Sequence, residues 1–190
     1  AGAVGPLSSL ERGYLHFHRG EVELGRAALD AALPALAPSR ATEVLHLLSF
    51  LQRVGSAAAL HLAEAAAHAH HGNAAAGVEV LVGALPSVPD EDRATLMAWA
   101  GEMAAGSGDV DLARELYGTL AEGYPDSPEY PEAALALARL QLDRGEISAA
   151  REVLERLILA RPDSPVVPAA RRELQRIRSG APDRSREDAA

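Results

Sequence analysis

Apolar residues recur along most of this chain at the spacing of one helix face. Between residues 41 and 54, for example, Val44, Leu47, Leu48 and Leu51 fall on one side of a helix with 3.6 residues per turn. The same spacing predicts about ten helices between residues 8 and 178. Alternations typical of a strand, such as 78–80, lie in alanine-rich sequence and support a sheet only weakly. The pattern therefore predicts an all-α fold.

Glycine and proline punctuate the predicted helices. Gly108 and Gly145 each stand between two helical patterns, where a residue without a Cβ can take the left-handed backbone that ends a helix. The helix after Gly108 ends at Pro125 and the helix after Gly145 ends at Pro162, because proline cannot continue a helical hydrogen-bond ladder. The C-terminal half is thus predicted to consist of short helix pairs.

These pairs repeat at a fixed period. The motif Pro-Asp-Ser-Pro begins at Pro125 and again at Pro162, and GDVDLARELYGTL from Gly108 is matched by GEISAAREVLERL from Gly145. Both pairs of segments are offset by 37 residues. Self-similarity at a period in this range indicates an array of stacked helical repeats.

The middle of the chain breaks this period. Gly20 to Gly55 spans 35 residues and Gly72 to Gly108 spans 36, so that either pair would mark one repeat. Both cannot hold in a strict two-helix alternation, because Gly55 and Gly72 are only 17 residues apart. The register of the helices between residues 41 and 90 is therefore left open.

Four regions follow from these patterns. The last helix, at about 166–178, carries several arginines around Leu174 and Ile177 and is predicted to cap the array with a polar face. The tail behind it has nothing to bury and is expected to be disordered. The predicted regions are a degenerate first repeat (1–40), irregular alanine- and histidine-rich helices (41–90), two regular repeats with the capping helix (91–178), and the tail (179–190).

The regular region resembles the tetratricopeptide repeat. That motif is a helix-turn-helix with a small residue in the first helix, a glycine at the turn, an alanine in the second helix and a closing proline. The matching positions here are Gly101 and Ala138, Gly108 and Gly145, Ala113 and Ala150, and Pro125 and Pro162. The match covers about 94–178 and departs from the motif in its longer spacing and in Met97 and Ala134, where an aromatic is usual. The resemblance implies an α-solenoid of helix-turn-helix repeats.

The linker between the repeats carries a finer resemblance. The run 124–128, Tyr-Pro-Asp-Ser-Pro, is similar to bacterial cell-envelope repeats of the Tol-Pal cell-division coordinator and of the outer-membrane assembly lipoprotein. This resemblance implies a periplasmic or outer-membrane-associated protein of a bacterial envelope complex.

Composition narrows the function classes. The 190-residue chain has a net charge of −9, which argues against nucleic acid or an anionic membrane as the main partner. All 18 basic residues are arginine and there is no cysteine, which excludes a catalytic lysine, a thiolate nucleophile and Cys-ligated metals. No phosphate-binding glycine loop or nucleophile-elbow pattern is present, so we expect neither enzymatic activity nor a cofactor.

The ends and the apolar runs of the chain add two expectations. No apolar run reaches the roughly 18–20 residues that a membrane-spanning helix needs. The chain begins without methionine, so that it is expected to be a processed form or a piece of a longer protein.

One histidine-rich stripe is a candidate metal site. His61, Glu64, His68 and His71 are spaced so that all four lie on one side of a helix, and such spacings can chelate zinc or another divalent ion. His16 and His18 could approach from the first repeat. A solvated helix face that happens to carry histidine and glutamate is the simpler interpretation, so no metal is favoured.

The resemblance also implies a partner surface. Stacked helix pairs form a concave groove lined by the first helix of each pair, suited to a protein or peptide partner. The inward positions would be Leu10, Tyr14, Phe17, His18, Ala98, Glu102, Leu135, Arg139 and Leu142. An equal alternative is that Tyr14 and Phe17 pack between helices as core.

Three functions remain open from the sequence. The leading one is a non-enzymatic interaction scaffold that presents a groove or a helix edge to a partner protein. A second is a self-assembling subunit, in which alanine-rich faces in 57–85 stack end to end into an oligomer or filament. A third is a metal-binding protein that uses the His61 stripe.

Overall fold

The computed structural model describes residues 6–179. The predicted disordered tail lies outside the described residues, apart from Ser179, which ends the last helix. Within 6–179 the chain forms ten α-helices and no strand, which confirms the predicted all-α fold. The helices are α1 (Pro6–His18), α2 (Val22–Ala32), α3 (Pro38–Arg53), α4 (Ser56–His70), α5 (Ala74–Ala84), α6 (Asp90–Ser107), α7 (Val110–Gly123), α8 (Tyr130–Asp143), α9 (Ile147–Ala160) and α10 (Val167–Ser179). A short 3-10 turn, Leu33–Ala35, follows α2.

Four turn glycines settle the register that the sequence leaves open. Gly20, Gly72, Gly108 and Gly145 have φ angles of +73°, +79°, +88° and +76°. Each follows a helix in the left-handed conformation, which favours glycine because it has no Cβ. Gly55 instead has a φ of −66° at the start of α4. The repeat spacing is therefore the one from Gly72 to Gly108, and Gly55 is not a repeat turn.

A small buried residue follows each of these turns by five positions. Gly25, Gly77, Ala113 and Ala150 are all buried. A Cβ added at Gly25 would lie 2.3 Å from the Phe17 ring, and one added at Gly77 would lie 2.7 Å from the Ala65 carbonyl oxygen. The second helix of these two pairs therefore packs against the first at a distance that only glycine permits.

The chain divides into two compact units, 1–109 and 110–190. In the first unit, α1 packs with α2, α4 packs with α5, α4 also packs on α1, and α5 packs on α6. α4 lies at the centre, with seven of its residues buried, six of them alanine. In contrast, α3 contacts α4 at few positions and belongs to no repeat pair. An inserted helix thus accounts for the irregular middle.

The second unit is a regular run of helices, each packed on the next from α7 to α10. Its core contains Leu116, Leu120, Tyr130, Leu154 and Leu157. α10 buries Val167, Ala170 and Leu174 on α9 and exposes most of its arginines, as predicted for a capping helix. The finer repeat boundaries at 40 and 90 stay predictions.

No helix within residues 6–179 combines the length and the apolar character that crossing a membrane would require.

Candidate functional site: a polar groove in the second unit

The groove positions predicted for the first repeat are mostly core. Leu10, Tyr14 and Phe17 keep only 4%, 6% and 1% of their surface exposed, so that the two aromatics pack as core, which is one of the two alternatives the sequence left open. The Tyr14 ring stacks on the His70 ring at a centroid distance of 3.8 Å and meets Phe17 edge to face. Burial also raises the pKa of the Tyr14 phenol. His18 is the one exposed member of this set.

The neighbours of α1 explain this burial: Tyr14 stacks on His70 of α4, and the Phe17 ring lies against the Gly25 position of α2. The inserted helix α3 reaches the same cluster. At its start, Arg40 donates to His70 Nδ1 of α4 at 2.5 Å. Since arginine only donates, Nδ1 is the acceptor, and the opposite nitrogen carries the proton that His70 donates to Glu11 of α1 at 2.9 Å. The first half of α3 is thus tied to α1 and α4, the first helices of two pairs.

The second half of α3 lies against α6. Phe50 meets the Trp99 ring edge to face at 5.0 Å, and His46 lies 3.7 Å from Glu102. Directly behind α3, the Gly55 N–H is shared by the two carboxylate oxygens of Asp92 at 3.2 and 3.3 Å. The predicted positions Ala98 and Glu102 are half-buried and exposed, respectively, on the helix that α3 touches. α3 therefore occupies the face that the repeat pattern assigns to a partner.

The three predicted groove positions of the second unit differ in exposure. Leu135 is buried, Leu142 is half-buried and Arg139 is exposed. Arg139 Nε donates to Glu173 of α10 at 3.3 Å, and Glu173 is itself 7% exposed. Arg139 therefore serves a contact between α8 and α10, and these residues form no continuous surface.

Two histidines of the predicted metal stripe contact a histidine of α1 and form no metal-binding group with it. His68 and His71 meet His18 with ring centroids 5.1 and 5.3 Å apart. Partial burial lowers the pKa of His18, the two neighbouring imidazoles lower it further, and Glu64 opposes them. His71 is bonded through Nδ1 to the Ala67 carbonyl at 2.7 Å. Among the described residues no three His, Asp or Glu side chains form a group that could hold a metal ion.

The alanine-rich faces invoked for self-assembly lie largely inside the first unit. Six alanines of α4 are buried there, among them Ala58, Ala63 and Ala66. This stretch is therefore mostly unavailable for end-to-end stacking.

A groove between α7, α8 and α9 is the best-formed candidate site. It encloses about 460 Å³ within the second unit. Its lining is polar at the rim and apolar at the base, where Tyr130 is 1% exposed. Burial raises the pKa of the Tyr130 phenol. The lining residues are Asp111, Arg114, Glu115, Gly118, Ala121, Glu122, Tyr130, Leu137, Gln141, Ala149, Glu152, Val153 and Arg156.

Ion pairs hold one end of this groove in place. Arg114 of α7 reaches both oxygens of Glu146 at the start of α9, at 2.7 and 3.0 Å. Arg144, directly after α8, pairs with Asp111 of α7. These contacts link all three walls of the groove, and charge-assisted hydrogen bonds of this kind fix geometry well.

Two buried polar atoms of the lining are left without a protein partner. Arg114 uses one terminal nitrogen, Nη2, for both Glu146 oxygens. Its Nε has no hydrogen-bond partner within the described part of the chain, and neither has Gln141 Oε1. A buried polar atom left unpaired costs about 1–3 kcal/mol. The groove therefore offers one donor and one acceptor to a polar ligand.

Sequence reasoning missed this groove for a definite reason. The repeat template directs attention to the first helix of each pair, whereas this groove is lined mainly by second helices, α7 and α9. The one available signal was the 37-residue repeat of Arg114 as Arg151, with Glu146 directly before the helix that carries Arg151. Nothing in the sequence marks Gln141.

Helix pairs with turn glycines and a polar groove between stacked helices define a helical-repeat protein. Residues 104–174 match the family model described as tetratricopeptide repeat. This match, together with similar solved structures, supports the tetratricopeptide-type assignment of the repeats.

Two such structures cover most of the chain. One is a kinesin light chain with nearly identical TPR-like repeats from Podosopora anserina, with a TM-score of 0.53 and 18% identity over 90% of this chain and 84% of the other. The other is MamA from AMB-1, with a TM-score of 0.50 and 15% identity over 93% of this chain and 86% of the other. Such identities show a shared fold alone. No curated protein sequence matches this chain.

Proposed function

We propose that the protein is a non-enzymatic interaction scaffold that holds a polypeptide segment of a partner protein in the α7–α9 groove. Proteins with helical repeats of this fold use their extended surfaces for binding other proteins. The observation that carries the proposal is the pair of unpartnered atoms, Arg114 Nε and Gln141 Oε1, in one groove. A polypeptide main chain supplies both the carbonyl acceptor and the N–H donor that they lack.

Charge indicates which segment fits. The groove is lined by four carboxylates, those of Asp111, Glu115, Glu122 and Glu152, and by only two guanidinium groups. Arg114, one of those two, is already paired with Glu146. The uncompensated charge is negative, so a segment that carries arginine or lysine side chains is favoured.

Replacing Gln141 with leucine should weaken this binding while preserving the fold. The change keeps the size of the side chain and removes the acceptor, so that a bound N–H is left unpaired. We expect peptides selected from a random library on the wild-type chain to bind the variant at least about tenfold more weakly, since such a loss costs about 1–3 kcal/mol. Fluorescence anisotropy with the full chain measures the change.

The control is Gln52→Leu, which makes the same replacement at an exposed position of α3 in the first unit. It should leave the affinity unchanged. Selected peptides that bind Gln141→Leu as tightly as the wild type, or that carry no enrichment of basic residues, would contradict the groove assignment.

We propose further that the partner belongs to a bacterial envelope complex, in the periplasm or at the outer membrane. The support is the resemblance of the 124–128 linker to envelope repeats. Fractionation of the source organism tests it, with recovery in the periplasmic or outer-membrane fraction expected. Recovery in the cytosol alone would argue against it.

A further inference from the structure

A second groove lies between α9 and α10 and encloses about 530 Å³. It is the α7–α9 groove displaced by one repeat. Five of its lining residues stand 37 positions after lining residues of the first groove. The corresponding pairs are Gly118 and Glu155, Ala121 and Ile158, Glu122 and Leu159, Leu137 and Leu174, and Gln141 and Arg178.

Among the described residues, the α9–α10 groove has two walls, whereas its counterpart has three. In the α7–α9 groove the third wall is α9, which contributes Ala149 and Val153. One repeat later the corresponding helix would begin at residue 184, and residues 184–190 contain no aromatic or large aliphatic side chain. Residues 184–190 therefore carry no apolar stripe like that of α9, while the first groove shows that a helix is the element that fits.

The floor of the second groove is apolar and exposed. Leu159 is 82% exposed, the highest value among the large apolar residues of the described chain. It stands at the position that Glu122 has one repeat earlier. Ile158 beside it is half-buried. A capping surface ordinarily presents polar residues to water. An exposed leucine beside a half-buried isoleucine, at the edge of the last described helix pair, therefore indicates a surface that another protein element covers.

The wall of this groove is basic in a chain that is otherwise acidic. α10 carries four arginines and a single glutamate, Glu173, which is buried and paired with Arg139 and Arg176. Arg171 and Arg178 line the groove, in positions where α8 has Ala134 and Gln141. With a net charge of −9 for the whole chain, this local positive charge favours an acidic partner.

We propose that the α9–α10 groove binds an amphipathic acidic helix of a partner protein, in the place that α9 takes one repeat earlier. An apolar stripe of that helix covers Leu159 and Leu174, and its aspartate or glutamate side chains face Arg171 and Arg178. This is recognition of a helix in a groove, with apolar anchors for affinity and charge for orientation. The inference rests on the proposed scaffold function and assigns it a second site of opposite charge preference.

The chain itself supplies the probe. A fluorescein-labelled peptide of residues 146–160 with Arg151→Glu and Arg156→Glu keeps the α9 pattern of apolar residues and carries five acidic residues. We expect it to bind the full chain more tightly than the unmodified peptide, with an affinity that falls as salt rises. A peptide of the same composition, reordered so that its apolar residues share no face, should not bind.

Leu159→Glu tests the site, because it changes an exposed residue and leaves the core intact. Binding of the acidic peptide should weaken at least about tenfold, an effect of about 1.4 kcal/mol. Leu45→Glu makes the same change at another exposed leucine, 54% exposed in α3, and should have no effect. Equal binding to Leu159→Glu and the wild type, or equal binding of the reordered peptide, would overturn the proposal.

Two further outcomes would also overturn it. If light scattering shows a dimer that Leu159→Glu dissolves, the occupant is a second copy of this chain. If the chain binds anionic vesicles through Arg171 and Arg178 but not the peptide, the surface is lipid-directed. Peptides that depend on Gln141 should bind Leu159→Glu normally, so that a failure here is distinct from a failure of the α7–α9 groove.

Discussion

Replacing Gly77 with alanine should lower the free energy of unfolding by about 1–3 kcal/mol, although alanine is the better helix former. The new Cβ would lie 2.7 Å from the Ala65 carbonyl oxygen and 2.4 Å from the Met103 methyl carbon. The methionine side chain can move, but the carbonyl is part of the α4 backbone. α4 and α5 must therefore separate, which loosens the packing of the buried residues between them.

Gly83→Ala is the matched control in the same helix. No atom lies within 4 Å of a Cβ at that position, and the residue is exposed. Alanine there should stabilise the protein by up to about 1 kcal/mol. Trp99, the only tryptophan, lies in α6 of the first unit, so its fluorescence during denaturant unfolding reports on this unit. Stabilisation by both substitutions would show that α4 and α5 do not pack this closely.

Gly25→Ala should have an effect of similar or larger size, about 1–3 kcal/mol or more. Its Cβ would lie 2.3 Å from two carbons of the Phe17 ring and 2.9 Å from the Gly13 carbonyl oxygen. Phe17 is 1% exposed and has no free space into which to move. The substitution therefore forces α1 and α2 apart at their closest approach.

The neighbouring Leu24→Ala provides the contrast. Leu24 is 56% exposed, and changes at such positions usually alter stability by no more than about 0.5 kcal/mol. Thermal unfolding followed by Trp99 fluorescence compares the two variants. A Gly25→Ala protein as stable as Leu24→Ala would contradict the packing of the first helix pair.

The helices and the turns could be predicted from sequence because their causes are local. A glycine such as Gly108 or Gly145 ends a helix through its own backbone, and the apolar spacing that follows needs no knowledge of the partner. The buried small residues at Ala113 and Ala150 follow from the same repeat. For this reason the all-α class and the C-terminal repeats were predictable.

The role of α3 could not be predicted, because its apolar face resembles that of any repeat helix. Val44, Leu47 and Leu51 are buried, as their spacing predicts, but the spacing does not say which helix covers them. That choice depends on distant partners, such as His70 and Trp99, which the fold brings together. The burial of Tyr14, which stacks on His70 of α4, depends on the same long-range packing.

The α7–α9 groove escaped prediction for a related reason. Gln141 and Arg114 become significant only when burial leaves one atom of each without a partner, and burial is a product of the packed helices. The exposed Leu159 could not be predicted for the same reason. A leucine at the end of a predicted helix is unremarkable until the packed structure shows that it stays exposed.

Photo-crosslinking from position 118 tests the central claim, that the α7–α9 groove holds a partner polypeptide. Gly118 lines the groove and has no atom within 4 Å of a Cβ, so that p-benzoyl-phenylalanine fits there; Gly83 offers an equally open control position. In extracts of the source organism, the account predicts crosslinks from 118 to one segment of one protein, absent from position 83 and lost with Gln141→Leu. Crosslinks from 118 only to this chain itself, or the same products from both positions, would contradict it.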